Sequence, residues 1–155
     1  MKPAKIRLLV ATLLLVGWLS WLGYLAWTKT NPVVLSRSQI MASTHFVLAE
    51  VSIDRETGHP EPTVKLKEDL RPVGEPLPAQ IRVRNIKEGR LAGKPDRFEE
   101  KATYLLMLTQ SDGVYELTPP PRAPGHENPM RPRPWVYRWE DAGVKEQFES
   151  LVPKR

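Results

Sequence analysis

Cysteine is absent from this 155-residue chain, which excludes a disulfide framework, a thiolate nucleophile and a thiolate zinc site. Histidine is scarce too, occurring only as His45, His59 and His126. His59 stands near Glu61 and His126 beside Glu127, so each pair offers two metal ligands, but no spacing specifies a complete site. The phosphate-binding patterns G-x-G-x-x-G and G-x-x-x-x-G-K-[ST], the zinc-peptidase pattern H-E-x-x-H and the hydrolase elbow G-x-S-x-G are all missing. The common nucleotide, metallopeptidase and α/β-hydrolase routes therefore have no foothold. Adjacent carboxylates, Glu99-Glu100 and Glu140-Asp141, read as ordinary polar positions. No residue is assigned a catalytic role, and no cofactor is expected.

A strong charge of one sign is also lacking once charge is divided by position. The formal net of +5 rests largely on Lys2, Lys5, Arg7 and Lys29. From residue 30 onward 19 basic residues face 18 acidic ones, a net of +1. That portion lacks the positive field that phosphate-backbone binding needs, so no nucleic-acid partner is expected.

What is present begins with an apolar run. Residues 8–27 carry no charge, and twenty helical residues at about 1.5 Å each span roughly 30 Å, the thickness of a bilayer's hydrocarbon core. Three basic residues precede the run and one closely follows it, which by the positive-inside rule directs the N-terminus to the cytoplasm. Trp18, Trp21, Tyr24 and Trp27 crowd its second half, as in an interfacial aromatic belt. A cleaved signal peptide wants small residues after a shorter core, whereas Tyr24-Leu25-Ala26-Trp27 sets bulky rings there, favouring a retained signal-anchor. The lipid bilayer is thus the first expected partner.

Beyond Asn31-Pro32 and a polar Ser36-Arg37-Ser38 connector, the period shifts to two. Val47, Ala49, Val51 and Ile53 alternate with Glu50 and Ser52; Val64, Leu66 and Leu70 with Lys65, Lys67 and Asp69; Ile81 and Val83 with Arg82 and Arg84. Residues 104–108 show no polar alternation and read as a strand buried on both faces. Ser111-Asp112-Gly113 turns the chain into Val114-Tyr115-Glu116-Leu117, the clearest hairpin. Residues 141–152 read as a terminal helix with Val144, Phe148, Leu151 and Val152 on one stripe and Asp141 as its cap.

Seven prolines fall within residues 119–134, a segment that excludes helix and central strand. After it Trp135, Tyr137 and Trp139 alternate with Val136, Arg138 and Glu140, so an extended backbone sets three rings on one face. Burial of the rings as the lid of a small core is the expected arrangement, and together with Arg131 and Arg133 they also make a candidate binding surface.

The resulting fold class is mainly β: a transmembrane helix, then a five- to six-stranded antiparallel small barrel, OB-like, or a sandwich, with a short C-terminal helix. The boundaries are a cytoplasmic basic tail at 1–7, the transmembrane helix at 8–28, a linker at 29–43 and an extracytoplasmic β-rich domain at 44–155, with the Pro-rich loop inside it at 119–134. This plan resembles that of bacterial envelope proteins with an uncleaved N-terminal helix and a small β-barrel domain. It is similar in architecture to the haem chaperone of cytochrome c maturation, which binds haem through a histidine followed four residues later by tyrosine. Here His126 is followed at that spacing by Met130, and the resemblance implies these two as the candidate cofactor-binding positions. Two functional expectations follow. One is a non-catalytic, membrane-anchored binding or scaffolding module of the cell envelope, whose partner is another envelope protein or a cell-wall component. The other is a haem- or metal-handling protein or hydrolase acting through His126.

Overall fold

The computed structural model describes residues 3–28, 33–71, 76–93, 97–121 and 132–152. The chain divides into two compact units, Met1–Asn31 and Pro32–Arg155. The first is helix α1, Pro3–Thr28. Its apolar side chains are spread around the whole circumference, with no amphipathic stripe. A helix of that kind belongs in a protein core or a bilayer, because no face of it suits water. Here none of the apolar window within Lys5–Ala26 is buried by protein, and Leu9, Leu14, Trp18, Trp21 and Tyr24 are exposed. By length and composition this 22-residue stretch can cross a membrane.

In the second unit strand predominates. After a short helix α2, Arg37–Ala42, come β1 His45–Ile53, β2 Pro60–Asp69, β3 Gln80–Arg82, β4 Arg90–Ala92, β5 Thr103–Ser111, β6 Val114–Leu117, β7 Trp135–Arg138 and helix α3 Val144–Leu151. The strands make one sheet ordered β3-β2-β1-β5-β7-β4, with β6 also paired to β5. Along one edge of β5, β7 takes Tyr104 and Leu105 while β6 takes residues 108–111. Strand β1 occupies the other edge.

The central strands explain the unbroken apolar runs. In β1, Val47, Ala49 and Val51 enter one core, whereas Phe46 and Leu48 enter another. In β5, Tyr104, Leu106 and Leu108 belong to the first core, Leu105 and Met107 to the second. Period-two alternation therefore still operates, but both faces are covered, so both must be apolar. The first core is enclosed by the curl of β1, β2, β3, β5 and β6. Helices α2 and α3 cover the second through Ile40, Val144 and Phe148.

Several expectations are corrected. Among the described residues the sheet has seven strands, not five or six, because the irregular stretch after β3 contains β4. It is mixed, not antiparallel, since β4 runs parallel to β7. It is one sheet, hence no sandwich, and it is not closed into a barrel. Between β3 and β6 there is only an isolated parallel bridge, Val83 to Tyr115, with the Arg84 N–H donating to the Tyr115 carbonyl at 3.0 Å. The later part of the expected linker, from residue 33, packs into the domain: Leu35, Gln39 and Ile40 are buried. Its polar letters concealed this because Ser36 caps α2, its Oγ accepting the Gln39 N–H. Asp141 does not cap α3 with its side chain; Gly143 holds the N-cap position, and Asp141 accepts the Val144 N–H through its backbone carbonyl at 3.1 Å.

Candidate functional site

Of the residues singled out from sequence, His126, Met130 and Arg131 lie outside the described residues. Arg133 is exposed. Strand β7 does set Trp135, Tyr137 and Trp139 on one face, and that face meets the second core. Tyr137 is buried, its hydroxyl accepting the Ser36 N–H at 2.9 Å. Burial pushes its phenol pKa up, and the bond from Ser36 partly offsets this. Trp139 meets Phe148 edge to face at 6.1 Å between centroids. Trp135 is half-buried with the Arg90 guanidinium 5.0 Å from its ring centroid, and its carbonyl accepts from Gln39 Nε2 at 2.9 Å. The three rings thus form a seam that holds residues 33–42 and α3 against the sheet. Gln147 extends it by donating to the Val33 carbonyl at 2.8 Å and accepting the Leu35 N–H at 3.1 Å.

A polar cluster sits beside that seam. Arg138 bridges to Glu99 at 3.0 Å and lies 3.9 Å from Glu140. Tyr104, buried beneath, receives the Glu99 N–H on its hydroxyl at 2.7 Å. Burial raises the pKa of Tyr104. Burial also raises that of Asp141, with Arg138 acting in the opposite direction. The cavity among these groups measures about 10 Å³, room for a single water at most, so the cluster is a packed ionic joint. His59 is exposed in the turn after β1. Among the described residues no three His, Cys, Asp or Glu gather as a metal site.

A partly apolar opening lies elsewhere, where β3 and the β5–β6 hairpin diverge. It holds about 490 Å³ and is lined by Pro78, Ile81 and Arg82 on one side and by Gly113, Val114 and Tyr115 on the other, with Gln80 and Arg84 completing it. That volume lies within the range of ordinary ligand pockets. Val114 is 41% exposed although apolar, and Tyr115 meets His45 edge to face at 5.7 Å. A second, more polar basin of about 600 Å³ adjoins it, sharing Arg84 and Val114 and adding Asn85, Glu88, Asp112 and Glu116.

Local sequence explains the hairpin's shape. Asp112 and Gly113 both have positive φ, 52° and 78°, the two-residue turn that matches strand twist. Sequence reasoning recognised β3's wet face and the hairpin separately. Their meeting depends on the parallel Val83–Tyr115 bridge, which no local pattern announces.

No family model matches this chain, and neither the curated proteins nor the solved structures include a match.

Proposed function

We propose that this chain is a single-pass membrane protein whose β-rich domain stands outside the cytoplasm as a non-catalytic binding or scaffolding module, its partner another envelope protein or a cell-wall component. The observation that carries the reading is α1: a helix apolar all round, of spanning length, with no protein burying it. Water is a poor environment for such a surface, and lipid is a good one. Orientation follows from Lys2, Lys5 and Arg7 outweighing Lys29. The near-neutral charge after residue 30 favours a protein or cell-wall partner over nucleic acid.

An OB-like plan for the domain belongs to the same reading. The path β1-β2-β3, across the Val83–Tyr115 bridge to β6, then β5 and back to β1, is supported by the ladders and by that single bridge. Between β3 and β6 a single bridge holds the path and the rest gapes as a groove, and small domains of this order bind ligands with strands and loops near such openings.

The chain contains no cysteine, so one introduced at exposed Ser111 is a unique reporter. Full-length protein should pellet with membranes after alkaline carbonate, and the Ser111→Cys variant should react with an impermeant maleimide added from the extracytoplasmic side. A shortened soluble product beginning near Thr28 would overturn the anchor; labelling only after the membrane is opened would reverse the orientation.

A further inference from the structure

We infer that the groove between β3 and β6 is a docking site for an extended acidic peptide segment of a partner protein, which adds as a strand to the free edge of β3. The inference rests on the binding-module reading and specifies its site and partner class.

The backbone supplies the first argument. Ile81 pairs with Val64, the Ala79 carbonyl accepts the Leu66 N–H at 2.8 Å, and the Val83 N–H reaches the Pro62 carbonyl at 2.7 Å. Residues 79, 81 and 83 therefore direct their backbone groups to β2, and by alternation Gln80 and Arg82 direct theirs away from it. β3 ends the sheet's strand order. β3 lies close to β6, but among the described residues backbone pairing between the two segments is confined to the Val83–Tyr115 bridge and the bond from Arg84. Gln80 thus presents an N–H and a carbonyl along the groove with no described strand beside them, the template that strand addition uses.

Side chains supply the second. Val114, Tyr115 and Pro78 give an apolar wall for alternate side chains of an incoming strand. Among the described residues, two guanidiniums, Arg82 and Arg84, and no carboxylate line the groove. Arg82 makes no ion pair among the described residues. Arg84 holds Glu116 at 3.5 Å with both side chains largely exposed, 74% and 41%, a contact worth little in water. The unspent positive charge selects an acidic partner. It also opposes pairing of β3 with the same edge of a second copy, since Arg82 and Arg84 would face their equivalents.

The test uses full-length protein in lipid nanodiscs and a short fluorescent peptide alternating valine with glutamate, read by anisotropy. Two control peptides replace glutamate by lysine or N-methylate alternate backbone amides. The acidic peptide should bind saturably, the lysine peptide about tenfold more weakly or worse, and the N-methylated peptide should lose binding because it cannot complete the ladder. Arg82→Glu, an exposed change, should abolish the charge preference, because the new carboxylate offsets Arg84, while leaving circular dichroism unchanged. Equal binding of acidic and basic peptides to the parent protein, no binding of either, or tighter binding of a single-stranded oligonucleotide would overturn the inference. So would self-association of nanodiscs that the acidic peptide fails to disperse. Because membrane insertion and side are measured separately at Ser111→Cys, a protein that inserts with its domain outside yet ignores the peptide loses this inference and keeps the broader reading.

Discussion

The side-chain amide of Asn85 pairs with both backbone groups of Leu117: its Nδ2 donates to the Leu117 carbonyl at 3.0 Å, and its Oδ1 accepts the Leu117 N–H at 2.6 Å. Leu117 is fully buried, and β3 ends too early to pair with it. Asn85 therefore stands in for the next residue of a ladder, extending the Val83–Tyr115 contact by side chain where the backbone has already turned into the short 3-10 segment Ile86–Glu88. Asn85→Ala should leave two buried groups unpaired and destabilise the domain by about 2–4 kcal/mol. Asn85→Asp retains only the acceptor and should fall between. Chemical denaturation of detergent-solubilised protein checks this; an alanine variant within about 0.5 kcal/mol of the parent would remove Asn85 from its closing role.

A few residues on, Gly89 sits where no side chain fits. An added Cβ would lie 2.9 Å from Leu117 Cδ1, 3.0 Å from the Ile86 carbonyl oxygen and 3.1 Å from Val136 Cγ2. Its φ of −60° is ordinary, so the constraint is space and not backbone strain. Gly89→Ala should cost about 1–3 kcal/mol by overpacking, seen as a lower melting temperature. Gly58, whose added Cβ would meet nothing within 4 Å, has a φ of +68°, and an alanine there should destabilise through conformation alone. In a double-mutant cycle Gly89→Ala should cost less in a Leu117→Ala background than in the parent, whereas the cost of Gly58→Ala should be the same in both backgrounds.

Much of this was legible in the residues. The apolar helix, the strands at Val47 to Ile53 and Val64 to Leu70, the doubly buried run 104–108 and the Asp112-Gly113 hairpin all come from local period and turn chemistry. The omissions share a cause. Residues 90–92 are too few to show a period, and β4 exists only because β7 accepts it in parallel. Residues 36–39 look like a polar connector because Ser36 and Gln39 serve as a cap and as a buried hydrogen-bonding group, roles set by Tyr137 and Trp135 about a hundred positions away. The groove was illegible because Arg82 and Val114 become neighbours through sheet curvature. Burial of Tyr137 could be anticipated only as one of two options, since the alternation of Trp135, Tyr137 and Trp139 says that the rings share a face and not what covers it.

That covering is testable at Tyr137. Its hydroxyl is the acceptor for the Ser36 N–H, and Ser36 in turn starts α2. Tyr137→Phe keeps the ring's burial and removes the acceptor, so the expected loss is about 1–2 kcal/mol. The loss should be local as well as global: amide exchange at residues 36–40 should accelerate more than in β1 or β5. Uniform acceleration across the domain would contradict the assignment of Tyr137 as the tether of this segment.

Acid titration gives the last prediction, through Asp141. Burial holds its carboxyl pKa above the ordinary value, Glu140 and Glu99 push in the same direction, and Arg138 opposes them. A folded pKa above the unfolded one means the folded chain binds the proton more tightly, so ionisation favours unfolding. Its effect on stability is absent below the unfolded value near 3.8, grows as pH rises to the raised folded value, and persists at neutral pH. Asp141→Asn keeps the backbone carbonyl that accepts the Val144 N–H and removes the ionisation. The variant should therefore be more stable than the parent at pH 7, with the gap closing as pH falls toward 3.8. Arg138→Gln should do the reverse at neutral pH, because it takes the guanidinium away from Glu99, Glu140 and Asp141 together. Melting temperatures of the three proteins across pH 3 to 8 measure this directly. An Asp141→Asn variant less stable than the parent at pH 7 would show that the attraction of Arg138 outweighs the desolvation of the carboxylate.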